Sequence, residues 1–221
     1  NNITFTETDS VLEALILESA LIKKNQPKYN VKERDDRSFN NVIITDEKFP
    51  RVLIVRDRVL KEGKFDAKIK KQFGPFPNAG QLREALRLIQ KIFPFFDTNK
   101  SVEDMSDADI RRIGMNIQIG LYPDTFSGKV TSREYAKTIR NINLFFEGKK
   151  NSVIKRLEKQ MVELSKSREF EKAGNIKRTI FALNHINDVT LLASDSVSEK
   201  NGFRIESYDI AHTAGTETVG V

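Results

Sequence analysis

Residues 73–95, FGPFPNAGQLREALRLIQKIFPF, join a stiff aromatic turn to an amphipathic helix. Pro75 and Pro77 fix φ and remove two backbone donors, so Phe73 to Asn78 reads as a rigid turn whose rings pack under a loop. The helix runs from about Ala79 to Phe93, with Leu82, Leu86, Ile89 and Ile92 or Phe93 on one face, and Pro94 ends it. Just upstream, Val42–Thr45 and Arg51–Arg56 are strand-like runs around the polar turn Asp46–Pro50, which predicts a β-hairpin. Strand and helix signals side by side place the chain in the α+β class.

Further upstream lies residues 10–30, SVLEALILESALIKKNQPKYN. Ser10 followed by Glu13 has the spacing of a capping box, and the predicted helix runs to about Lys24, before Gln26-Pro27. Residues 3–6 (ITFT) alternate and read as a strand feeding that helix. Glu18 has Ala14, Leu15, Leu21 and Ile22 as its helix neighbours. A carboxylate buried on an apolar face is costly unless it is paired or on a metal. Two readings stay open for it: a half-exposed residue at the edge of the face, or a metal ligand at the mouth of a site. Lys23, Lys24 and Lys28 follow within reach of a phosphate. The charged run 31–38 (VKERDDRS) reads as a solvated loop.

Downstream, residues 97–110 are acidic and read as a loop with a helix start at Ser106, and 114–129 read as irregular. A helix begins near Thr131 or Ser132, carries Tyr135, Ile139, Ile142 and Phe145-Phe146, and stops at Gly148. From Asn151 two apolar stripes follow. Val153, Ile154, Leu157, Met161 and Leu164 form the first; Phe170, Ala173, Ile176, Ile180 and Leu183 form the second. The short polar break at Ser165–Ser167 makes them an antiparallel helical hairpin with little core of its own. Residues 187–191 extend the second helix or begin a strand, and 194–202 read as a flexible linker. Phe203–Ile210 alternates as a strand with Asp209 near its end, followed by a His-Thr-Ala-Gly-Thr turn.

The 221 residues are 38% hydrophobic and 31% charged, a polar balance that favours several small modules over one deep core. The net charge of +6 is uneven: +5 over 1–95, +1 over 96–150, +4 over 151–186 and −4 over 187–221. The basic parts favour a polyanion without choosing one. With no cysteine there is no disulfide and no thiolate-bound metal, which fits a reducing compartment. Two histidines, His185 and His212, make a His-rich zinc site or a Ser–His–Asp arrangement improbable. No phosphate loop, signal peptide or membrane span is visible. The chain starts Asn-Asn and ends within a strand-like run, so it reads as a piece of a longer protein. The remaining chemistry is carboxylate chemistry, and a lone carboxylate cannot make a two-metal site.

Taken together, several stretches resemble the UvrC excinuclease family, the incision nucleases of bacterial nucleotide excision repair. EALILE and IKKNQPKYNV with RDDRS (13–38) look like the second half of its GIY-YIG nuclease domain. FGPFPNAGQLREALRLIQKIFPF is the most specific piece. LEKQMVELSKSREFEKAGNIKRTI (157–180) is similar to the UVR motif, a helical hairpin that docks on UvrB. RIESYDIAHTAGTETVGV (204–221) resembles the first strands of an RNase H-like nuclease domain. The resemblance implies a modular chain. Residues 1–95 would be the C-terminal part of the GIY-YIG domain with its following hairpin and helix, 96–150 a helical region, and 151–187 the UVR domain. Residues 188–202 would be a linker and 203–221 the start of the RNase H-like domain.

The roles implied by the resemblance follow residue by residue. Glu18 would ligate a divalent metal, Mg or Mn, and Asn30 would line the same site, which cuts on the 3′ side of a lesion. Asp209 would be the first metal-binding Asp of the second nuclease, which cuts on the 5′ side. Lys23, Lys24 and Lys28 would hold DNA. Phe170, Ala173 and Ile176 would bind the partner UvrB. Damaged double-stranded DNA is the implied substrate, with no membrane involved and a cytoplasmic location. The chain also departs from the family. Its GIY and YIG strands would precede Asn1. The four cysteines that often bind an iron–sulfur cluster align with Thr98, Gly114, Tyr122 and Phe126, so no cluster is expected. The paired alanines of the hairpin read Ala173-Gly174. The alternative is a non-catalytic adaptor that binds DNA and a UvrB-like partner.

Overall fold

The computed structural model describes residues 4–8, 11–25, 39–185, 210–213 and 217–220. Among these are seven helices and a three-stranded antiparallel sheet of order β2-β1-β3. The chain divides into two units, Asn1–Thr190 and Leu191–Val221.

The sheet is built around β1 (Asn40–Thr45), in which every residue is buried and Val42, Ile43 and Ile44 have no exposed surface. A strand covered on both faces needs an unbroken apolar run instead of alternation, and Val-Ile-Ile supplies it. β2 (Val52–Arg56) pairs with it antiparallel, Val42 opposite Ile54, which is the hairpin expected from the sequence. On the other side lies β3 (Ile69–Phe76). Here the structure corrects the reading of Phe73–Phe76 as a turn. The pairing shifts between Asn40, opposite Phe76, and Val42, opposite Phe73, so Gly74-Pro75 forms a bulge. A bulge tolerates a proline because its missing N–H leaves no ladder bond unmade. Gly74 has φ 135°, and a Cβ there would stand 2.5 Å from the Asn41 side-chain oxygen, so the position demands glycine. The short helix α2 (Asp57–Lys61), which no sequence signal announced, follows β2 directly.

α1 (Val11–Asn25) packs on β3 and buries Leu12, Leu15, Ile16 and Ser19. Its expected cap, Ser10, lies outside the described residues. Glu13 forms an ion pair with Lys150 at 3.0 Å, an electrostatic contact more than a well-directed hydrogen bond. The strand expected at ITFT is not present at residues 4–6, which are irregular, with Phe5 90% exposed. No strand among the described residues pairs with them, and a lone extended segment has nothing to satisfy its backbone.

α3 (Ala79–Ile92) starts where Asn78 Oδ1 accepts from the backbone N–H of Gly80 at 3.0 Å and of Gln81 at 3.1 Å. It ends before Pro94, as the sequence predicts. Phe95 and Phe96 then run alongside β2, with the Val52 N–H donating to Phe96 O at 2.8 Å. Arg51 is 5% exposed yet fully engaged. Its guanidinium forks onto the Glu47 carboxylate, at 2.6 and 3.0 Å, and reaches the carbonyls of Thr98 and Asn99. A buried charge is tolerated only with such pairing.

α4 (Asp107–Gln118) and α5 (Ser132–Phe146) each begin with a capping box, Ser106 with Asp109 and Thr131 with Glu134. α4 passes through Gly114, so the segment expected to be irregular from 114 is helical to Gln118. A glycine inside a helix costs roughly 1 kcal/mol against alanine, which neighbouring turns and the cap outweigh here. Tyr135 of α5 is 1% exposed and donates its hydroxyl to Pro50 O at 2.6 Å, while accepting from the Phe96 N–H at 3.2 Å.

α6 (Lys150–Lys166) and α7 (Phe170–Asn184) form the expected hairpin. The break falls at Ser167–Glu169, with Arg168 at φ 60° closing the turn. Buried side chains run as one contiguous cluster from Leu12 to Leu183, so the polar composition did not divide this unit into separate small cores. In the second unit β4 (Ile210–Thr213) and β5 (Glu217–Gly220) pair antiparallel, Ala211 opposite Val219. His212 and Thr213 are therefore strand, not turn. Asp209, the expected linker and residues 187–191 lie outside the described residues.

Candidate metal-bearing helix and partner-binding hairpin

α1 is apolar around most of its circumference, so its composition does not reveal which stripe faces inward. The core takes Leu12, Leu15, Ile16 and Ser19. Glu18 lies on the opposite side with Ala14 and Leu21, and all three are exposed, Leu21 at 44%. Its carboxylate is hydrated, and no burial cost has to be offset by a metal. An exposed carboxylate can still be one of the oxygen ligands of a hard divalent cation, which takes six or more. Among the described residues no group of three or more Asp, Glu or His converges on such a point. Asn30 and Lys28 lie outside the described residues. Lys23 and Lys24 are exposed in the last turn of α1, where the helix dipole favours cations.

The hairpin separates the three residues expected to bind a partner. Phe170, at the start of α7, is 68% exposed. Ala173 is 7% exposed and packs inside the hairpin, and Ile176 is half-buried against the core. Sequence reasoning missed Phe181. It lies eleven residues on from Phe170, just over three full turns, and so shares its side of α7. Phe181 is 63% exposed and stacks on the His185 ring at 3.9 Å. The signal was available as the i, i+11 spacing of two phenylalanines. Gly174 stands between them, and a Cβ added there would meet nothing within 4 Å.

The positions aligned with cluster cysteines are otherwise engaged. Thr98 gives its carbonyl to Arg51 Nη1 at 2.9 Å, and Gly114 is mid-helix. The Tyr122 hydroxyl donates to Asp97, and its ring lies 5.4 Å from that of Phe96. Burial first, and the Asp97 carboxylate second, push the Tyr122 phenol well above its ordinary range. Phe126 meets Phe96 edge-on at 6.4 Å. A hydroxyl, a hydrogen, a phenol kept neutral and a phenyl ring offer no soft thiolate ligand, so these residues do not fit an iron–sulfur cluster. No helix among the described residues is long and apolar enough to cross a membrane.

The chain is 39% identical to UvrABC system protein C of Alkaliphilus oremlandii over 180 residues, 81% of this chain and 28% of that protein. It is 38% identical to UvrABC system protein C of Aliivibrio fischeri over 211 residues, 94% of this chain and 33% of the relative. Against the Carboxydothermus hydrogenoformans protein of the same name the identity is 35% over 214 residues, 97% of this chain and 32% of that one. No family model matches the chain, and no solved structure does. The chain is thus homologous to UvrABC system protein C over most of its own length and spans about a third of the length of the curated relatives it matches.

Proposed function

We propose that this chain serves, within an intact UvrC protein, the dual incision of damaged DNA in nucleotide excision repair. The observation that carries the reading is identity of 35–39% to UvrABC system protein C across most of the chain. Glu18 would hold a divalent cation, Mg or Mn, together with groups beyond the described residues. That cation, when bound, supplies charge stabilisation to phosphodiester hydrolysis. Lys23, Lys24 and Lys28 grip the backbone without reading sequence, and Asn30 lines the same site on the 3′ side of the lesion. Asp209 serves the second, RNase H-like site on the 5′ side. The hairpin docks on UvrB through Phe170, Ala173 and Ile176, of which Phe170 is the exposed one. No iron–sulfur cluster is part of this reading.

A non-catalytic adaptor is the competing reading. Its support is that Glu18 belongs to no group of three or more Asp, Glu or His among the described residues that could hold a metal ion. Glu18→Gln in the full-length protein separates the two. The nuclease reading expects 3′ incision of a lesion-bearing duplex to be lost with DNA binding nearly unchanged. Normal 3′ cutting by the variant removes Glu18 from the metal.

A further inference from the structure

A concave surface lies between β2, α3 and the segment after α3. It is a groove of about 310 Å³ walled by Ile54, Leu86 and Phe95. Arg83 and Arg87 stand on its rim, one helical turn apart and both exposed. Neither has an ion-pair partner among the described residues, whereas Arg51 and Arg58 both do. Asp97 lies at the other end and already accepts the Tyr122 hydroxyl.

We infer that this groove is a second contact for a nucleic-acid backbone, an inference that rests on the nuclease reading above. Residues at i and i+4 have Cβ atoms about 5–6 Å apart, so both guanidiniums address the same short stretch of strand. Guanidinium matches phosphate with two parallel hydrogen bonds, and an apolar wall suits the sugar. The Asp97 carboxylate repels phosphate and confines it to the arginine end. Gln90 already donates to Phe95 O and Asp97 accepts the Tyr122 hydroxyl, so Asn99 is the one side-chain amide of the lining left to read a base edge, and the arginines are assigned to phosphate.

The test is anisotropy of a fluorescein-labelled duplex oligonucleotide titrated with the whole chain at several salt concentrations. Arg83→Gln with Arg87→Gln is expected to weaken binding about tenfold and to lower the slope of log K against log salt by about 2. The control is Arg133→Gln with Lys137→Gln, an exposed i, i+4 pair on α5 with the same loss of charge, which leaves both nearly unchanged. Both substituted pairs are exposed, and equal melting temperatures verify that the fold is kept. Tight binding by the unsubstituted chain with no effect of the α3 pair overturns the groove and leaves the nuclease reading standing. Equal losses from both pairs also overturn it, in favour of diffuse charge. Failure of the unsubstituted chain to bind any duplex overturns DNA handling by this chain and the groove with it. Two further probes are inorganic phosphate at matched ionic strength and a polyglutamate peptide. Binding of either that depends on Arg83 and Arg87 and exceeds that of the duplex overturns the backbone assignment.

Discussion

Residues 39–146 and the hairpin 150–184 use aromatic side chains in opposite ways. In the first region Phe76, Phe95, Phe96, Tyr135 and Phe145 have almost no exposed surface. Phe96 alone meets Tyr122, Phe126 and Tyr135. In the hairpin both α7 phenylalanines, Phe170 and Phe181, face outward and the interior is held by Val153, Leu157, Ala173 and Leu183. Large rings left in water contribute little to folding, and under the proposed function this side of α7 is the one offered to a partner. The same residue type is therefore enclosed in one region and open to solvent in the other.

The sharpest way to break this contrast is to delete one ring from each region. Phe96→Ala should destabilise the fold by about 3–5 kcal/mol, measured by urea unfolding, because a fully enclosed ring leaves a cavity. A loss below about 1 kcal/mol would show that its surroundings collapse freely. Phe170→Ala should weaken association with UvrB by about 2–4 kcal/mol, read by calorimetry. The unfolding free energy of the same variant should stay within about 0.5 kcal/mol of the original. An unchanged dissociation constant would mean that docking uses another surface.

Smaller effects sharpen the picture. Gly174→Ala should raise stability by up to about 1 kcal/mol, since the helix gains from alanine and the space is empty. A destabilised variant would reveal a close neighbour at that position. The last effect concerns pH. Lys100 first, then the Ser106 cap, hold the Asp109 carboxyl down at about 2, against an ordinary 3.8. A lowered folded-state value stabilises the ionised form, so this contribution is complete above about pH 4 and fades as pH falls toward 2. The advantage in melting temperature over Asp109→Asn should shrink across that window. A constant difference would remove the charge from the argument.

Much of the α-helical part is legible because its signals are local. Ser106 and Thr131 mark the starts of α4 and α5, and apolar periodicity delivers α3, α6 and α7. β3 escapes because Gly74-Pro75 reads as a turn until β1 is present to pair across a bulge. Gly114 hides the second half of α4 in a similar way, since a glycine inside a helical pattern reads locally as its end. Glu18 was singled out for apolar neighbours, but on a helix apolar nearly all round that criterion selects the wrong stripe. Its exposure follows from Leu12 and Ile16 meeting the core, a tertiary fact. The resemblance to UvrC, carried by the aromatic stretch 73–95 and the hairpin, supplied what periodicity could not.

Glu13 and Lys150 tie α1 to the first turn of α6, and both side chains are largely shielded, 22% and 12% exposed. α1 and the hairpin also contribute to the same core cluster, at Leu12 and at Leu183. A partner seated on Phe170 would thus be registered to Glu18 through solid protein and not through a tether. On the proposed function, the offset between such a partner and the bond to be cut would be a length set by the molecule's interior, as in a fixed gauge. Loosening the Glu13–Lys150 joint should blur where the cut falls before it changes how fast the cut is made.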